Sequence, residues 1–231
     1  MRMILDSRGH YFPGDNSFPT LARQMDHDIR SPLTAICSYA ECLAWLPNLE
    51  PSVRESYACT ILAEARRLGR LAASFLALVA PPLSDDLDEL DLGLAVDAAL
   101  ADLHDAVQLQ GLRVEWQRPA KTTVIWPQGV LQQLLTAALE TALEAAKGNA
   151  CLLVTVTEVS EEEVTVELSS ARCEPSRAAE SFGFRAAEVL VRQRGGDATL
   201  ETGRGMCLKL RLPRVGRVRG VLEDSRLERS A

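Results

Sequence analysis

The sequence predicts an α+β protein in which an N-terminal helical hairpin precedes an α/β sandwich. Two long segments before residue 80 repeat apolar residues at helical spacing. A proline-rich and then acidic break follows at 81–86, and beyond it helical and β-rich patterns alternate. Aromatic residues are only 5% of the chain although hydrophobic residues are 47%. Leu, Val and Ala must therefore fill the core, which favours helices.

These patterns divide the chain into five segments. We predict an irregular arm at 1–16, a helical hairpin at 17–80, a linker at 81–86, the sandwich at 87–213 and a mobile tail at 214–231.

Charge and composition exclude several classes of function. A net charge of −7 and a pI near 5.1 argue against DNA or RNA as a general partner. No apolar run reaches the roughly 18 residues of a membrane span, and the N-terminus lacks the apolar core of a signal peptide, so we expect a cytoplasmic protein. The six cysteines show no metal-like spacing, and we expect buried, reduced thiols and no metal site.

The first predicted helix begins near Ser17 and has two distinct faces. At 100° per residue one face is apolar, with Ile29, Pro32, Leu33, Ile36, Ala40 and Leu43. The opposite face is polar and contains Arg23, His27, Ser31, Thr34, Ser38 and Glu41. His27 lies in the middle of this polar face, so we expect it to face solvent.

A second helix is predicted after the break at 46–51. Ser52 and Glu55 have the spacing of a capping box, and the apolar pattern continues to Val79. A lone hairpin with two apolar stripes cannot close a core, whereas two copies can form a four-helix bundle. We therefore expect a homodimer.

The sandwich is predicted from alternating helical and β-rich patterns. Helices are expected at 92–110, 129–146 and 181–194, and strands at 113–117, 122–126, 151–159, 163–169, 198–201 and 206–212. The strands 151–159 and 163–169 flank a polar turn and should form a hairpin.

The stretch His27-Asp28-Ile29-Arg30-Ser31-Pro32-Leu33 resembles the H-box of sensor histidine kinases, His-(Glu/Asp)-x-Arg-x-Pro-Leu, at every fixed position. Weaker similarity comes from Gln132-Gln133-Leu134-Leu135, which resembles the start of the helix that bears the family's N-box, and from 185–196 with the strands that follow. The resemblance covers about 17–213. It implies a dimeric four-helix bundle followed by a histidine-kinase-ATPase-like sandwich.

The residue types of this motif suit phosphoryl chemistry. A neutral imidazole is a nucleophile toward phosphorus near pH 7. Asp28 can accept the proton of the other ring nitrogen, and the resemblance implies a general-base role for it. Ser31 follows His27 by four residues, on the same face. In the family this position orients a water for dephosphorylation, where threonine or asparagine is commoner.

The nucleotide site of the family is degenerate in this chain. Thr141 occupies the position of the metal-binding asparagine, and Ser170 lies where an Asp-x-Gly-x-Gly turn is expected. Gly183 is the single glycine of the phosphate loop, and the stretch between Ser170 and Ser181 is too short for the usual lid. We therefore expect no bound ATP and no resident metal.

The resemblance then implies a histidine phosphotransferase of a two-component phosphorelay. His27 would carry the phosphoryl group, helped by Asp28 and Ser31, and Arg30, Thr34 and Arg23 would dock the partner. The partners would be response-regulator receiver domains, and Mg²⁺ would enter only with the regulator. Two alternatives stay open: a non-catalytic module that sequesters a kinase or regulator, and an atypical histidine kinase or phosphatase with a divergent ATP site.

Overall fold

The computed structural model describes residues 4–5, 11–12, 17–79, 86–202 and 205–216. Two short strands, β1 (Ile4–Leu5) and β2 (Tyr11–Phe12), pair antiparallel at the N-terminus. The arm was predicted to be irregular, which is wrong for these four residues. Isoleucine, tyrosine and phenylalanine, three of the four residue types in these strands, are enriched in β-strands. The remaining residues of the predicted arm lie outside the described residues.

The helical hairpin is confirmed. Helix α1 (Ser17–Trp45) is followed by α2 (Pro51–Val79), and each has 29 residues, a length of about 43 Å. Pro51 is the first residue of α2, a position where the missing backbone N–H of proline costs nothing. Ser52 therefore lies inside the helix, and the predicted capping box is wrong.

The second half of the chain builds a mixed sheet with helices against it. Its elements are β3 (Asp88–Asp91), α3 (Leu92–Asp102), α4 (His104–Leu109), β4 (Arg113–Gln117), β5 (Thr123–Trp126), α5 (Gln128–Ala145), β6 (Cys151–Glu158), β7 (Glu163–Ser170), α6 (Pro175–Glu180), α7 (Phe182–Gln193), β8 (Asp197–Thr202) and β9 (Met206–Pro213). The five-stranded sheet has the order β4-β6-β7-β9-β8. Strands β4 and β6 are parallel and the other pairs are antiparallel. Strands β3 and β5 form a separate antiparallel pair.

One face of the sheet meets the core. Along β7 buried and half-buried residues alternate, with Val164, Val166 and Leu168 facing inward. Helix α5 contributes most of the opposing surface, through five fully buried leucines: Leu131, Leu134, Leu135, Leu139 and Leu143. Helix α7 packs beside α5. The predicted hairpin of strands β6 and β7 is confirmed.

Three parts of the predicted sandwich differ from the structure. Strand β3 and helix α6 were not predicted, because both are too short to show a period in the sequence. The single helix predicted at 92–110 is two helices, separated at Leu103. The Leu103 side chain is fully buried, while its backbone leaves the helical conformation.

The start of the predicted tail is bound to the sandwich. Arg214 donates to the carbonyl of Thr123 at 3.0 Å and pairs with Glu158 at 3.0 Å. The amide of Gly216 donates to the carbonyl of Ile125 at 2.9 Å. A Cβ at Gly216 would lie 2.5 Å from the Trp126 ring, so only glycine fits there. The prediction of a mobile segment is thus wrong for 214–216, and 217–231 lie outside the described residues.

The cysteines are free, but they are less buried than expected. Cys37 and Cys59 are exposed, and the other four are half-buried. The two exposed cysteines lie on the helical hairpin, where part of each apolar stripe is uncovered in a single chain. Within the described ranges no helix is long and apolar enough to cross a membrane.

The hairpin lies against the sandwich through a small apolar cluster and ion pairs. Leu71, Phe182 and Ala186 are buried in this cluster, with Met25, Ile29, Phe75 and Leu78 packed around them. Beside it, Arg70 pairs with Glu140 at 2.9 Å and Arg67 with Glu144 at 2.5 Å. These contacts bring α5 and α7 against the hairpin, near the part of α1 that bears His27.

Candidate functional site

His27 is exposed on α1, as its helical position predicted. Its side chain is 87% accessible, whereas that of the neighbouring Asp28 is only 12% accessible. The His27 Nδ1 lies 3.1 Å from the Asp28 Oδ1. When Nδ1 donates to this carboxylate, Nε2 is the unprotonated nitrogen and carries the lone pair. The pair thus presents one nucleophilic ring nitrogen, with its tautomer fixed by a carboxylate.

Asp28 also contacts the sandwich. Its Oδ2 accepts a hydrogen bond of 2.8 Å from the backbone amide of Phe182, the first residue of α7. The first amides of a helix have no partner within the helix, and they favour a negative group. Ser181 caps the same helix by accepting from the amide of Phe184 at 3.1 Å. Asp28 therefore orients His27 with one oxygen and anchors α7 with the other.

A cleft of about 400 Å³ opens beside His27 between the hairpin and the sandwich. Both parts of the chain line it: Arg23, Gln24, His27, Asp28, Ser31 and Arg67 from the hairpin, with Glu144, Arg177, Glu180 and Ser181 from the sandwich. The Gln24 amide nitrogen donates to the carbonyl of Glu180 at 2.7 Å, which closes one end.

A second cleft of about 430 Å³ adjoins the first and shares Ser31, Arg67, Glu144 and Arg177 with it. Two carboxyl groups lie along it, that of Glu140 buried and that of Glu144 half-buried. Burial raises the pKa of Glu144 to about 7, although Arg67 opposes the shift. Burial likewise raises the pKa of Glu140, against the effect of Arg70. Both carboxyl groups therefore lie where burial disfavours their charge and an arginine of α2 offsets part of that cost.

Of the other predicted site residues, two line the His27 cleft and two do not. Ser31 and Arg23 line the His27 cleft, one helical turn after and one before the histidine. The Thr34 hydroxyl donates to the carbonyl of Arg30 at 2.8 Å, so it is engaged within α1. Arg30 pairs with Asp26 at 2.8 Å on the exposed surface. Arg30 and Thr34 are exposed on the same helix but are not among the residues that line the cleft.

Of the three positions predicted to form a degenerate nucleotide site, Thr141 and Ser170 are buried and Gly183 is half-buried. Thr141 is 1% accessible, and its hydroxyl donates to the carbonyl of Ala137 at 2.8 Å and lies 3.3 Å from the Ser181 Oγ. Gly183 packs directly on it, since a Cβ there would lie 2.7 Å from the Thr141 Oγ1. Ser170 is buried at the end of β7, 3.5 Å from the carbonyl of Arg172. Thr141 and Gly183 are thus brought together, and the Thr141 hydroxyl is buried.

Sequence reasoning missed Arg67, Glu144 and Arg177 as residues of the cleft. One signal was present: Glu140 and Glu144 are four residues apart in a helix that is otherwise apolar on that side. Carboxyl groups at such positions need partners of opposite charge, and Arg67 and Arg70 have a similar spacing in α2. No comparable signal marks Arg177. In the described part of the chain no group of three or more His, Cys, Asp or Glu residues is placed to hold a metal ion.

No protein-family model matches the chain, and no curated protein matches it significantly. Solved structures do match. Histidine kinase AdeS of Acinetobacter baumannii has a TM-score of 0.56 at 13% identity, covering 81% of this chain and 98% of that one. Histidine kinase ThkA, solved in complex with response regulator TrrA, has a TM-score of 0.54 at 15% identity over 84% of this chain and 60% of that one.

Full-length ShkA, solved with AMPPNP, matches with a TM-score of 0.53 at 16% identity. This match covers 87% of the present chain and 47% of ShkA. At these identities the comparisons establish the fold, which is that of histidine kinases. The predicted α+β class, with N-terminal helices before a five-stranded mixed sheet, is confirmed.

Proposed function

We propose that this chain is a histidine phosphotransferase of a two-component phosphorelay, and that His27 carries the phosphoryl group between response-regulator aspartates. The observation that carries the proposal is the pair His27–Asp28. The imidazole is exposed, and its Nδ1 is 3.1 Å from a largely buried carboxylate. A phosphoryl carrier needs an accessible nitrogen and a fixed tautomer, and this pair provides both.

The transfer step balances without a further reactant. The lone pair of the His27 Nε2 attacks phosphorus, and the bond between phosphorus and the aspartate oxygen of the regulator breaks. The aspartate leaves as a carboxylate, and the proton on Nδ1 stays in place. The positive charge that develops on the ring is stabilised by Asp28 at 3.1 Å. Mg²⁺ would enter with the acidic pocket of the regulator.

The residues at the degenerate positions support transfer without ATP. A magnesium nucleotide needs hard oxygen ligands and donors that cradle its phosphates. Thr141 offers one neutral hydroxyl, which is buried and bonded to Ala137 and Ser181. Gly183 closes the space above it. These residues do not fit the metal and phosphates of a nucleotide, so we assign no step to ATP.

The proposed partners are the receiver domains of response regulators. A protein of this fold, ThkA, has been solved in complex with a response regulator. On the present chain, Arg23, Arg30 and Thr34 share the exposed side of α1 with His27 and would contact the receiver.

We also propose that the hairpin dimerises into a four-helix bundle. Several large apolar side chains of α1 and α2 are exposed in the single chain: Leu33, Trp45, Leu62 and Leu76. Trp45 is 79% accessible, which contradicts a packing role within one chain. A second copy would cover such residues, since exposed apolar patches commonly mark interfaces.

The experiment that tests the carrier role is phosphotransfer from labelled regulators. The protein is incubated with each phosphorylated candidate regulator, and we expect an acid-labile label on the wild type. The label should vanish in His27→Ala and persist in His104→Ala, a matched control because His104 is also an exposed helical histidine. A wild type that takes no label from any regulator contradicts the carrier role, and label on His27→Ala contradicts the site.

Titration calorimetry with ATP distinguishes the kinase alternative. We expect no Mg²⁺-dependent binding, because Thr141 and Gly183 enclose each other. Micromolar, Mg²⁺-dependent affinity would favour an atypical kinase instead.

A further inference from the structure

Three arginines from three different elements line the cleft beside His27. Arg23 comes from α1, Arg67 from α2 and Arg177 from α6. Arg67 is committed to Glu144, with its Nε and terminal nitrogen at 2.8 and 2.5 Å from the carboxylate. Among the described residues, none forms an ion pair with Arg23 or Arg177. Two guanidinium groups therefore remain available to an anion at this place.

Two hydrogen bonds join α1 to the end of α6 and to the start of α7, close to Arg177. Gln24 donates to the carbonyl of Glu180 at 2.7 Å, and Asp28 accepts from the amide of Phe182 at 2.8 Å. Gln24 and Asp28 lie on either side of His27 in α1. Arg177 precedes Glu180 by three residues, about one helical turn. These contacts hold the backbone next to Arg177 at the cleft, which the exposed Arg177 side chain lines.

We propose that Arg177 of the sandwich, together with Arg23 of the hairpin, binds the phosphoryl group while His27 carries it. The inference rests on the proposed carrier function and extends it. The sandwich would then complete the phosphoryl site, a use that needs no nucleotide.

The charges of the cleft suit this role. A phosphoryl group on nitrogen brings about two negative charges and several strong acceptor oxygens. Guanidinium groups donate in a planar fork that matches these oxygens. Two of the three carboxyl groups in the cleft are already engaged, Asp28 with His27 and Phe182, and Glu144 with Arg67. Burial, which raises the pKa of Glu144 to about 7, further reduces negative charge near neutral pH.

The test is the equilibrium constant for transfer between the phosphorylated regulator and His27. Purified full-length protein and a cognate labelled regulator are mixed below the dissociation constant of their complex, and both phosphorylated species are measured at equilibrium. Docking contacts alter the rate of transfer, but they do not alter the equilibrium between the free proteins. This measurement therefore isolates the stability of the phosphorylated His27.

We expect Arg177→Ala to lower this equilibrium constant about tenfold, the usual scale of one charge-assisted hydrogen bond. Arg177→Lys should recover part of the loss, because lysine keeps the charge and loses the fork. Arg172→Ala is the matched control: it is exposed, precedes α6 and is not among the residues that line the cleft, so its constant should equal that of the wild type.

The possible results separate the two proposals. If the wild type takes no label from any regulator, the carrier function fails and this inference fails with it. If the wild type is labelled and Arg177→Ala leaves the equilibrium constant unchanged, only the inference is overturned. If Arg177→Ala reaches the same equilibrium more slowly, the inference is also overturned, because Arg177 then acts in docking of the receiver.

Discussion

The hydrogen bond between Asp28 and Phe182 predicts that two aspartates of one helix differ sharply in their effect on stability. Asp28 is 12% accessible and accepts the Phe182 amide at 2.8 Å. Asp26 lies two residues earlier, on the exposed surface, where it pairs with Arg30. Asp28→Ala removes the acceptor and leaves a partly buried amide without a partner, whereas Asp26→Ala removes only a surface ion pair.

The expected losses of stability follow from this difference in burial. Loss of a charge-assisted bond to a buried amide costs about 1.5–3 kcal/mol. Loss of an exposed pair of the Asp26–Arg30 type costs about 0.3–0.5 kcal/mol. A difference of about 2 kcal/mol corresponds to roughly a thirtyfold change in a local opening equilibrium.

Hydrogen exchange measures this equilibrium at the Phe182 amide itself. In Asp28→Ala the amide should exchange about thirtyfold faster than in the wild type, and in Asp26→Ala about as fast as in the wild type. Urea unfolding should show the same order of midpoints with an unchanged slope. Equal exchange in the two variants would refute the contact between α1 and α7, and with it one of the contacts that hold the backbone next to Arg177 at the cleft.

Three further predictions concern buried or crowded positions. Since burial raises the pKa of Glu144 from 4.5 to about 7, its contribution to stability is complete below pH 4.5 and is lost as pH rises through 7. In urea unfolding, the free energy of unfolding of the wild type should therefore fall by about 3 kcal/mol relative to that of Glu144→Gln between pH 4.5 and 8. If the free energies of the two proteins change in parallel with pH, this prediction is wrong. Gly183→Ala places a Cβ 2.7 Å from the Thr141 hydroxyl and should lower the free energy of unfolding by about 1–3 kcal/mol. The decrease should be smaller in a Thr141→Ala background, and an equal decrease in both backgrounds would be inconsistent with the contact. Gly216→Ala places a Cβ 2.5 Å from the Trp126 ring, so its urea midpoint should fall by a similar free energy, and an unchanged midpoint would show that 214–216 do not pack on Trp126.

Features with a strong local pattern could be predicted from the sequence. The two long helices follow from apolar residues at helical spacing, and the exposure of His27 follows from its place on the polar face. The order of most sandwich elements follows from the alternation of helical and strand-like hydrophobic patterns along the chain. Leu103 shows the limit of this reasoning, because a leucine that continues the helical pattern lies at the point where the helix ends.

The composition of the cleft could not be predicted in the same way. Arg177 is 150 residues from His27 along the chain, and α6 is only six residues long. Its position depends on the contacts of Gln24 and Asp28 with the backbone at 180 and 182, which no side-chain pattern reveals. Arg67 and Glu144 carry a weak signal, since each needs an opposite charge, but the sequence does not say which charge each one meets.

Phe182 takes part both in the site around His27 and in the contact between the hairpin and the sandwich. The largely buried pairs Arg70–Glu140 and Arg67–Glu144 join the hairpin to the sandwich, but desolvation of their charges offsets much of the attraction. The favourable free energy of docking must therefore come mainly from the apolar cluster and from the bond to Asp28. Phe182 contributes to both, because its ring is fully buried in the cluster while its amide binds the carboxylate that orients His27. Orientation of His27 and docking of the sandwich thus share one residue, so a change that weakens one weakens the other.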